Sequence, residues 1–405
     1  MTPLNAIRFT VVIDRAISSG LLIRVLELQF PAKEAGLPEG CESADLLPAL
    51  AFRRNFFAAI DMLQDQAEKL LEEMKPKPSC IICDTHIAWA AETVDKFQIP
   101  RIIFDRMSCF SQLCMHNLYI MNDQSEIPES GPFVIPDLPD RIEVTKYGRV
   151  WCIGPLCLCN NDNLDKAQRG NKTSFDKEDS LNKWLDSWQP ESVVYACLGS
   201  LDCITIVQFV ELALGLEESG CPFILVIKTG EGQAPIEEWI SKNGFEERTK
   251  ERGLLIRGWS PQVVILSHPA VGGFLTHCGW NSTVEGISAG VPLITWPLFA
   301  EQFLNEKLLE HVLNIAVGVG SQAIVHLGEE EKFGAQVSNN AVTDAIKKVM
   351  DKEKEGKKIR KRARELGEMA KRAVEDGGSS HLNVMLLIKE IQEFQLNQSA
   401  KTALV

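Results

Sequence analysis

From about residue 192 onward the chain alternates short apolar runs with helical patterns, and this alternation restricts its fold more than any other feature. Strand-like runs occupy Ser192–Leu198, Phe223–Lys228, Leu254–Gly258, Val271–His277, Val291–Trp296 and Ile315–Val319, with helical patterns such as Ile204–Glu218 and Phe303–Val312 between them. Apolar strands separated by helices are the sequence form of a parallel sheet covered on both faces, so a doubly wound α/β domain is predicted here. Ligands in that architecture bind beyond the carboxyl ends of the strands. The residues to inspect are therefore those after Leu198, those around His277, and the loop from Trp296 to Gln302.

The middle of these places has readable chemistry. The run Ala270–Thr276 is apolar with two glycines, His277-Cys278-Gly279 follows, and Trp280–Gly286 begins a helix in which Asn281 and Ser282 are placed to cap it. The exposed N–H groups and positive dipole end of such a helix suit a pyrophosphate, with Asn281 and Ser282 adding side-chain donors. Gly279 lets the backbone approach the anion. Glu285 falls one turn beyond Asn281 on the same face, where its carboxylate would repel a phosphate but accept hydrogen bonds from the two hydroxyls of a ribose. Gly199-Ser200 ends the first strand of this half, so the backbone and hydroxyl of Ser200 can join the same anion site. Taken alone, a Trp after a strand or a His at a strand end reads as structural. The ordered set gives them meaning.

That ordered set, WSPQVVILSHPAVGGFLTHCGWNSTVEGISAGVPLITWPLFAEQ from Trp259 to Gln302, resembles the signature box of the plant family 1 UDP-glycosyltransferases. Trp184-Leu185-Asp186, Phe30-Pro31, Glu34–Cys41 and Gly377-Gly378-Ser379-Ser380 match group features as well, so the resemblance covers nearly the whole chain. It implies an α/β glycosyltransferase-B (GT-B) fold, two Rossmann-like doubly wound domains facing across a cleft, the N-terminal one incomplete. Residues 1–149 would form the acceptor-binding domain and 150–380 the UDP-sugar-binding domain, with a linker at Val150–Pro155. Residues 381–405 would be a helix, about His381 to Phe394, returning to the front domain, and a tail. By the same resemblance Trp259 stacks on uracil, the backbone of Ser260 bonds the base edge, and Gln262 and Glu285 hold the ribose. Ser200, His277, Asn281 and Ser282 face the phosphates, while Trp280, Glu301 and Gln302 contact the sugar, a terminal Gln going with glucose. The implied reaction transfers glucose from UDP-glucose to a hydroxyl of a small plant metabolite, a flavonoid, terpenoid or hormone, with inversion. No metal and no cofactor are expected, and the chain is expected to be a monomer.

The chain also departs from this pattern. It reaches the TPxN segment, Thr2–Asn5, without the preceding strand, His-bearing loop, helix and second strand of full members, and Arg141–Lys146 runs almost directly into Val150–Pro155. No residue matches the family's catalytic His. Asp84, at the end of the predicted strand Ser79–Cys83, matches the acid that orients that His, or else it caps the following helix, predicted as Thr85–Asp95. His86 is predicted at that helix start and facing away. A second predicted strand, Leu22–Phe30, would have to pair directly with Ser79–Cys83 or leave backbone groups unsatisfied. The alternative function is a UDP-sugar-binding remnant without transferase activity.

Composition narrows the rest. A chain of 405 residues with 45% hydrophobic content has room for two domains. A net charge of −13 argues against nucleic acid and anionic membrane as partners, so UDP must be held by local dipoles. No stretch approaches a membrane span and the opening lacks the regions of a signal peptide, which predicts a cytoplasmic protein. The 12 cysteines are scattered, and the pair Cys80 and Cys83 would point to opposite faces of a strand, so buried thiols are expected and no zinc. The charged run Lys347–Lys371 reads as a solvated helix face and Asn160–Glu178 as a mobile loop. No GxGxxG follows a strand, which disfavours a nicotinamide-dependent oxidoreductase.

Overall fold

A computed structural model describes residues 1–48, 50–123, 151–159, 178–199, 204–228, 233–322 and 336–402. The readings made above for Ser200, for Asn160–Asp176 and Lys177, and for Arg141–Val150 lie outside them. Packing divides the chain into two units, Met1–Asp105 with Leu382–Val405, and Arg106–His381. This division falls at Asp105/Arg106, while the domain boundary expected from the sequence, 149/150, lies outside the described residues. Arg106–Asp123 packs with the larger unit, because the Ser108 and Ser111 hydroxyls donate to Asn305 Oδ1 at 3.0 and 2.8 Å.

The smaller unit contains α1 (Pro3–Ser18), α2 (Arg53–Asp61), α3 (Gln64–Glu73), β1 (Ile81–Asp84), α4 (Ala90–Phe97) and β2 (Arg101–Phe104). β1 and β2 pair in parallel, Ile81 opposite Arg101, as a two-stranded sheet. The predicted strand Leu22–Phe30 does not form: no described strand lies beside it to complete a ladder, and Leu22 is fully exposed. Its backbone bonds to other parts of the smaller unit instead. The Leu28 N–H donates to Met1 O, and the Gln66 side chain clamps Gln29 by accepting from its N–H and donating to its carbonyl, both at 2.9 Å. Leu37, Cys41 and Ala59 form a small core, with Phe30, Phe52 and Phe56 packed against it.

The larger unit runs α5 (Cys109–Asp123), α6 (Glu178–Asp186), β3 (Val193–Cys197), α7 (Ile206–Ser219), β4 (Phe223–Ile227), α8 (Gln233–Asn243) and α9 (Phe245–Thr249). It continues through β5 (Gly253–Arg257), α10 (Gln262–Leu266), β6 (Val271–Thr276), α11 (Trp280–Ala289), β7 (Leu293–Thr295), α12 (Gln302–Lys307) and β8 (Ala316–Gly318). It ends with α13 (Asn339–Met350), α14 (Glu355–Val374) and the start of α15 (Ser379–Thr402), which continues into the smaller unit. The six strands are all parallel in the order β5-β4-β3-β6-β7-β8. The order reverses between β3 and β6, which makes the mouth beyond those two strand ends the binding crevice of a doubly wound sheet.

Alternation along β3 sends Val194 and Ala196 into one core, with Phe209, Leu216, Val342, Ile346 and Trp296, and Val193 and Tyr195 into the other, with Leu185, Ile265, Phe274 and Leu366. Each such side chain contributes about 1.5–3 kcal/mol when fully buried. All six residues of β6 are buried, so the strand that carries the candidate loop is fixed on both faces. α13 and α14 present many charges to solvent, but Arg360 is an exception. It is buried and donates to the carbonyls of Val349 and Asp351. Among the described residues no helix is long and apolar enough to cross a membrane.

Candidate active site

β6 delivers the chain into a tight loop, His277-Cys278-Gly279, before α11. The turn requires a left-handed backbone at Cys278 (φ 65°), a conformation uncommon for a residue with a side chain. It is held by Asn305, whose Nδ2 donates to Cys278 O at 2.9 Å while its Oδ1 accepts from Ser108 and Ser111. A buried amide thus ties the loop to the start of α5.

The helix begins with Gly279 as N-cap and no side-chain cap. This corrects the prediction that Asn281 and Ser282 cap it: they sit one and two positions inside the helix, beyond the capping geometry. Among the described residues no N-cap side chain accepts from the first N–H groups of α11, and Asn281 is exposed. A positive dipole end with uncapped donors is a site for an anion.

His277 lies in a slot made by two glycines. A Cβ added at Gly199 would come within 2.7 Å of its Nε2, and one at Gly279 within 2.5 Å, so both glycines are required by the ring. Burial pushes the imidazole pKa down to about 4, and Nδ1 is buried with no hydrogen-bond partner among the described residues. The ring is neutral at neutral pH and keeps an N–H to offer.

Beside this slot a polar network forms around Gln262. Its Nε2 donates to Glu285 Oε2 at 2.8 Å and to Ser282 Oγ at 3.2 Å, while its Oε1 accepts from Tyr195 OH at 3.4 Å. Tyr195, fully buried and stacked on Phe274 at 5.2 Å, also bonds Ser260 Oγ at 2.7 Å. The structure therefore joins Ser260, expected at the base edge, and Ser282, expected at the phosphates, to Gln262 and Glu285, expected together at the ribose. Trp259 stands next to this group and is half-buried, as is Trp280 at the first position of α11.

Gln302 and Glu301 are arranged differently from a pair of open sugar ligands. Gln302 is buried at the start of α12, and its Oε1 accepts from the N–H groups of Leu298 and Phe299 at 2.8 and 3.1 Å, leaving its NH₂ as the donor end. Glu301 is the N-cap residue of α12 without a side-chain cap bond. Two residues of this region escaped the sequence reading. Tyr195 carried a signal, a hydroxyl inside an apolar strand that must find a partner, and Asn305 carried none.

In the smaller unit, Asp84 ends β1. Its Oδ1 accepts from the His86 N–H at 3.0 Å and lies 2.7 Å from His86 Nδ1, and the His86 ring stacks on Phe57 at 5.8 Å. Helix α4 starts only at Ala90, with Trp89 as N-cap, so both the cap role for Asp84 and the outward direction of His86 are corrected. Residues 85–89 turn rather than coil into a helix, and that turn brings the imidazole back to the acid. Among the described residues no group of His, Cys, Asp and Glu could hold a metal ion.

This geometry belongs to a recognised sequence family. Residues 170–360 match the model of the UDP-glucoronosyl and UDP-glucosyl transferases. The chain is 46% identical to UDP-glycosyltransferase 73C2 of Arabidopsis thaliana, covering 97% of this chain and 89% of the relative, and 44% identical to UDP-glycosyltransferase 73C10 of Barbarea vulgaris, covering 97% and 90%. The first match extends over 444 residues, more than the 405 of the chain, so inside it the relative carries residues that this chain lacks. Among solved structures, Glycyrrhiza uralensis UGT73P12 complexed with glycyrrhetinic acid 3-O-monoglucuronide aligns with a TM-score of 0.85 at 31% identity, covering 100% of this chain and 91% of the other. Arabidopsis thaliana UGT89C1 complexed with UDP aligns with a TM-score of 0.74 at 29% identity, covering 96% and 91%. With its parallel doubly wound sheet and relatives matched along almost their whole length, the chain belongs to the plant family 1 UDP-glycosyltransferases, glycosyltransferases of GT-B fold.

Proposed function

We propose that this chain transfers glucose from UDP-glucose to a hydroxyl of a small plant metabolite, a flavonoid, terpenoid or hormone, with inversion at the anomeric carbon. The observation that carries the donor half is the Gln262–Glu285–Ser282 network beside the uncapped start of α11. A carboxylate held by an amide suits the ribose diol, the helix N–H groups and neutral His277 suit the pyrophosphate, and Trp259 suits the base. The NH₂ of Gln302, with Glu301 and Trp280, would meet the sugar. Similar structures hold UDP and glycyrrhetinic acid 3-O-monoglucuronide, ligands consistent with a nucleotide donor and a bulky terpenoid-type acceptor.

The acceptor hydroxyl must lose a proton as its oxygen attacks the anomeric carbon, and charge then develops on the departing UDP. Donors aimed at that phosphate lower the barrier by stabilising the charge where it appears, with no metal needed. On the acceptor side Asp84 would orient an imidazole and stabilise its charged form, and His86 is the imidazole in contact with it. Asp84 is also engaged within its own turn by the His86 N–H, and this favours a second reading, a UDP-sugar-binding protein without transfer. The test is a turnover assay with UDP-glucose and a panel of hydroxylated acceptors, run beside calorimetric binding of UDP-glucose. Glucoside formation that falls about 10²–10⁴-fold in His86→Asn supports the first reading with His86 as base. Binding with no product across the panel selects the second, and failure to bind UDP-glucose refutes both.

A further inference from the structure

Two thiols of the larger unit, outside the nucleotide site, lie against each other. Cys109 is the first residue of α5, and Cys152 follows 43 positions later in the next described segment. Their sulfurs are 3.6 Å apart in hydrogen-bonding contact, and both residues are exposed, whereas Cys41, Cys114, Cys157 and Cys278 are buried. We propose that Cys109 and Cys152 form a dithiol site for thiol–disulfide exchange, taking a low-molecular-weight disulfide of the glutathione type and closing to an intramolecular disulfide.

The framework sets the spacing of the pair. Ser108 and Ser111, on either side of Cys109, are bonded to Asn305, which fixes the first turn of α5. On the other side Gly154 O accepts from Ser380 Oγ, and Cys157 Sγ bonds Ser288 Oγ at 3.4 Å, which fixes the segment after Cys152. A disulfide bond is about 2.05 Å long, so the sulfurs must approach by roughly 1.5 Å, within the reach of side-chain rotation. The hydrogen bond from Cys109 draws the Cys152 pKa down to about 6, which makes Cys152 the attacking sulfur at neutral pH.

The step balances without another reagent. The Cys152 thiolate attacks one sulfur of the small disulfide, breaking its S–S bond, forming a mixed disulfide and releasing one small thiolate. Cys109 then gives up its proton to solvent and attacks Cys152 Sγ, expelling the second small thiolate. The protein dithiol is oxidised by two electrons and the small disulfide is reduced to two thiols.

The experiment incubates the reduced full chain with glutathione disulfide at neutral pH and maps the products by peptide mass spectrometry. The expected result is a crosslink between the peptides carrying Cys109 and Cys152. Cys109→Ser should arrest the reaction at a glutathione adduct on Cys152, and Cys152→Ser should abolish both crosslink and adduct at this site. The proposal is overturned if no 109–152 crosslink forms, or if the crosslink that forms joins either residue to Cys159 instead.

Discussion

Replacing Gly279 by alanine tests how the donor site is built, because the change adds one carbon and that carbon has a known neighbour. The backbone at Gly279 (φ −58°, ψ 138°) accepts any residue, so the substitution carries no conformational penalty of its own. The added Cβ would stand 2.5 Å from His277 Nε2, closer than such contacts are found, and Gly199 crowds the same edge of the ring, where an added Cβ would stand 2.7 Å from Nε2. Overpacking of this kind costs about 1–3 kcal/mol of stability. The ring must shift, and in the proposed site UDP would lose a hydrogen bond to a charged group, worth about 1.5–3 kcal/mol or roughly 10- to 150-fold in affinity. Calorimetry with UDP, beside a thermal melt of the free protein, measures both effects. Gly199→Ala is a poorer probe, since Gly199 has φ +92° and would add backbone strain to the collision. The reasoning fails if Gly279→Ala binds UDP within about twofold of the parent, an energy change of only about 0.4 kcal/mol.

Gln302→Ala should weaken UDP-glucose more than UDP, and it should also lower the melting temperature, because two backbone N–H groups lose their acceptor at about 1–3 kcal/mol each. Equal weakening of both ligands by calorimetry would mean that Gln302 only latches the 298–299 loop. For His277 the folded pKa near 4 lies below its ordinary value of 6.5, so the unfolded chain takes up a proton first as pH falls. Stability should therefore be fully present above about pH 6.5 and decline toward pH 4, by an amount on the order of 3 kcal/mol that His277→Gln lacks. Parallel denaturation curves for the parent and this variant across that window would exclude a buried neutral imidazole.

The larger unit was legible because its strands are buried on both faces. A continuous run such as Phe223–Lys228 has no other stable use, and the strand observed, Phe223–Ile227, stops one residue short of it. Leu22–Phe30 is also rich in apolar residues, but no described strand lies beside it, and pairing is a property of the sheet that the segment alone does not encode. For the candidate donor site the sequence names residues, and the contacts among them come from the fold. Glu285 and Gln262 were each assigned to the ribose, yet their bond to one another spans 23 positions and has no local signal. Asn305 acts across 194 and 197 positions through Ser111 and Ser108, and nothing near it in sequence announces that. The capping error at α11 has a local cause. Gly, Asn and Ser are all acceptable N-caps, and only the backbone turn at Cys278 decides that Gly279 takes the place.

The charge of the chain leads to a final prediction. UDP is a polyanion, and a protein of net charge −13 repels it at long range. The proposed donors among the described residues are the helix N–H groups, the neutral His277 and the hydroxyl and amide side chains, none of them a lysine or arginine. Interactions of this kind act over a few ångströms inside a partly dry site, where salt has little access. The opposing repulsion is felt over tens of ångströms and is screened beyond about 10 Å at 0.1 M salt. Raising sodium chloride from about 0.05 to 0.5 M should therefore leave UDP affinity within roughly threefold, or strengthen it slightly, since screening removes the unfavourable part and spares the favourable one. A site built on cations would behave in the opposite sense, losing affinity steadily with each increment of salt. Titration calorimetry at several salt concentrations distinguishes the two, and a log–log slope of about −1 or steeper would show that a cationic side chain, and not the dipole of α11, supplies most of the attraction.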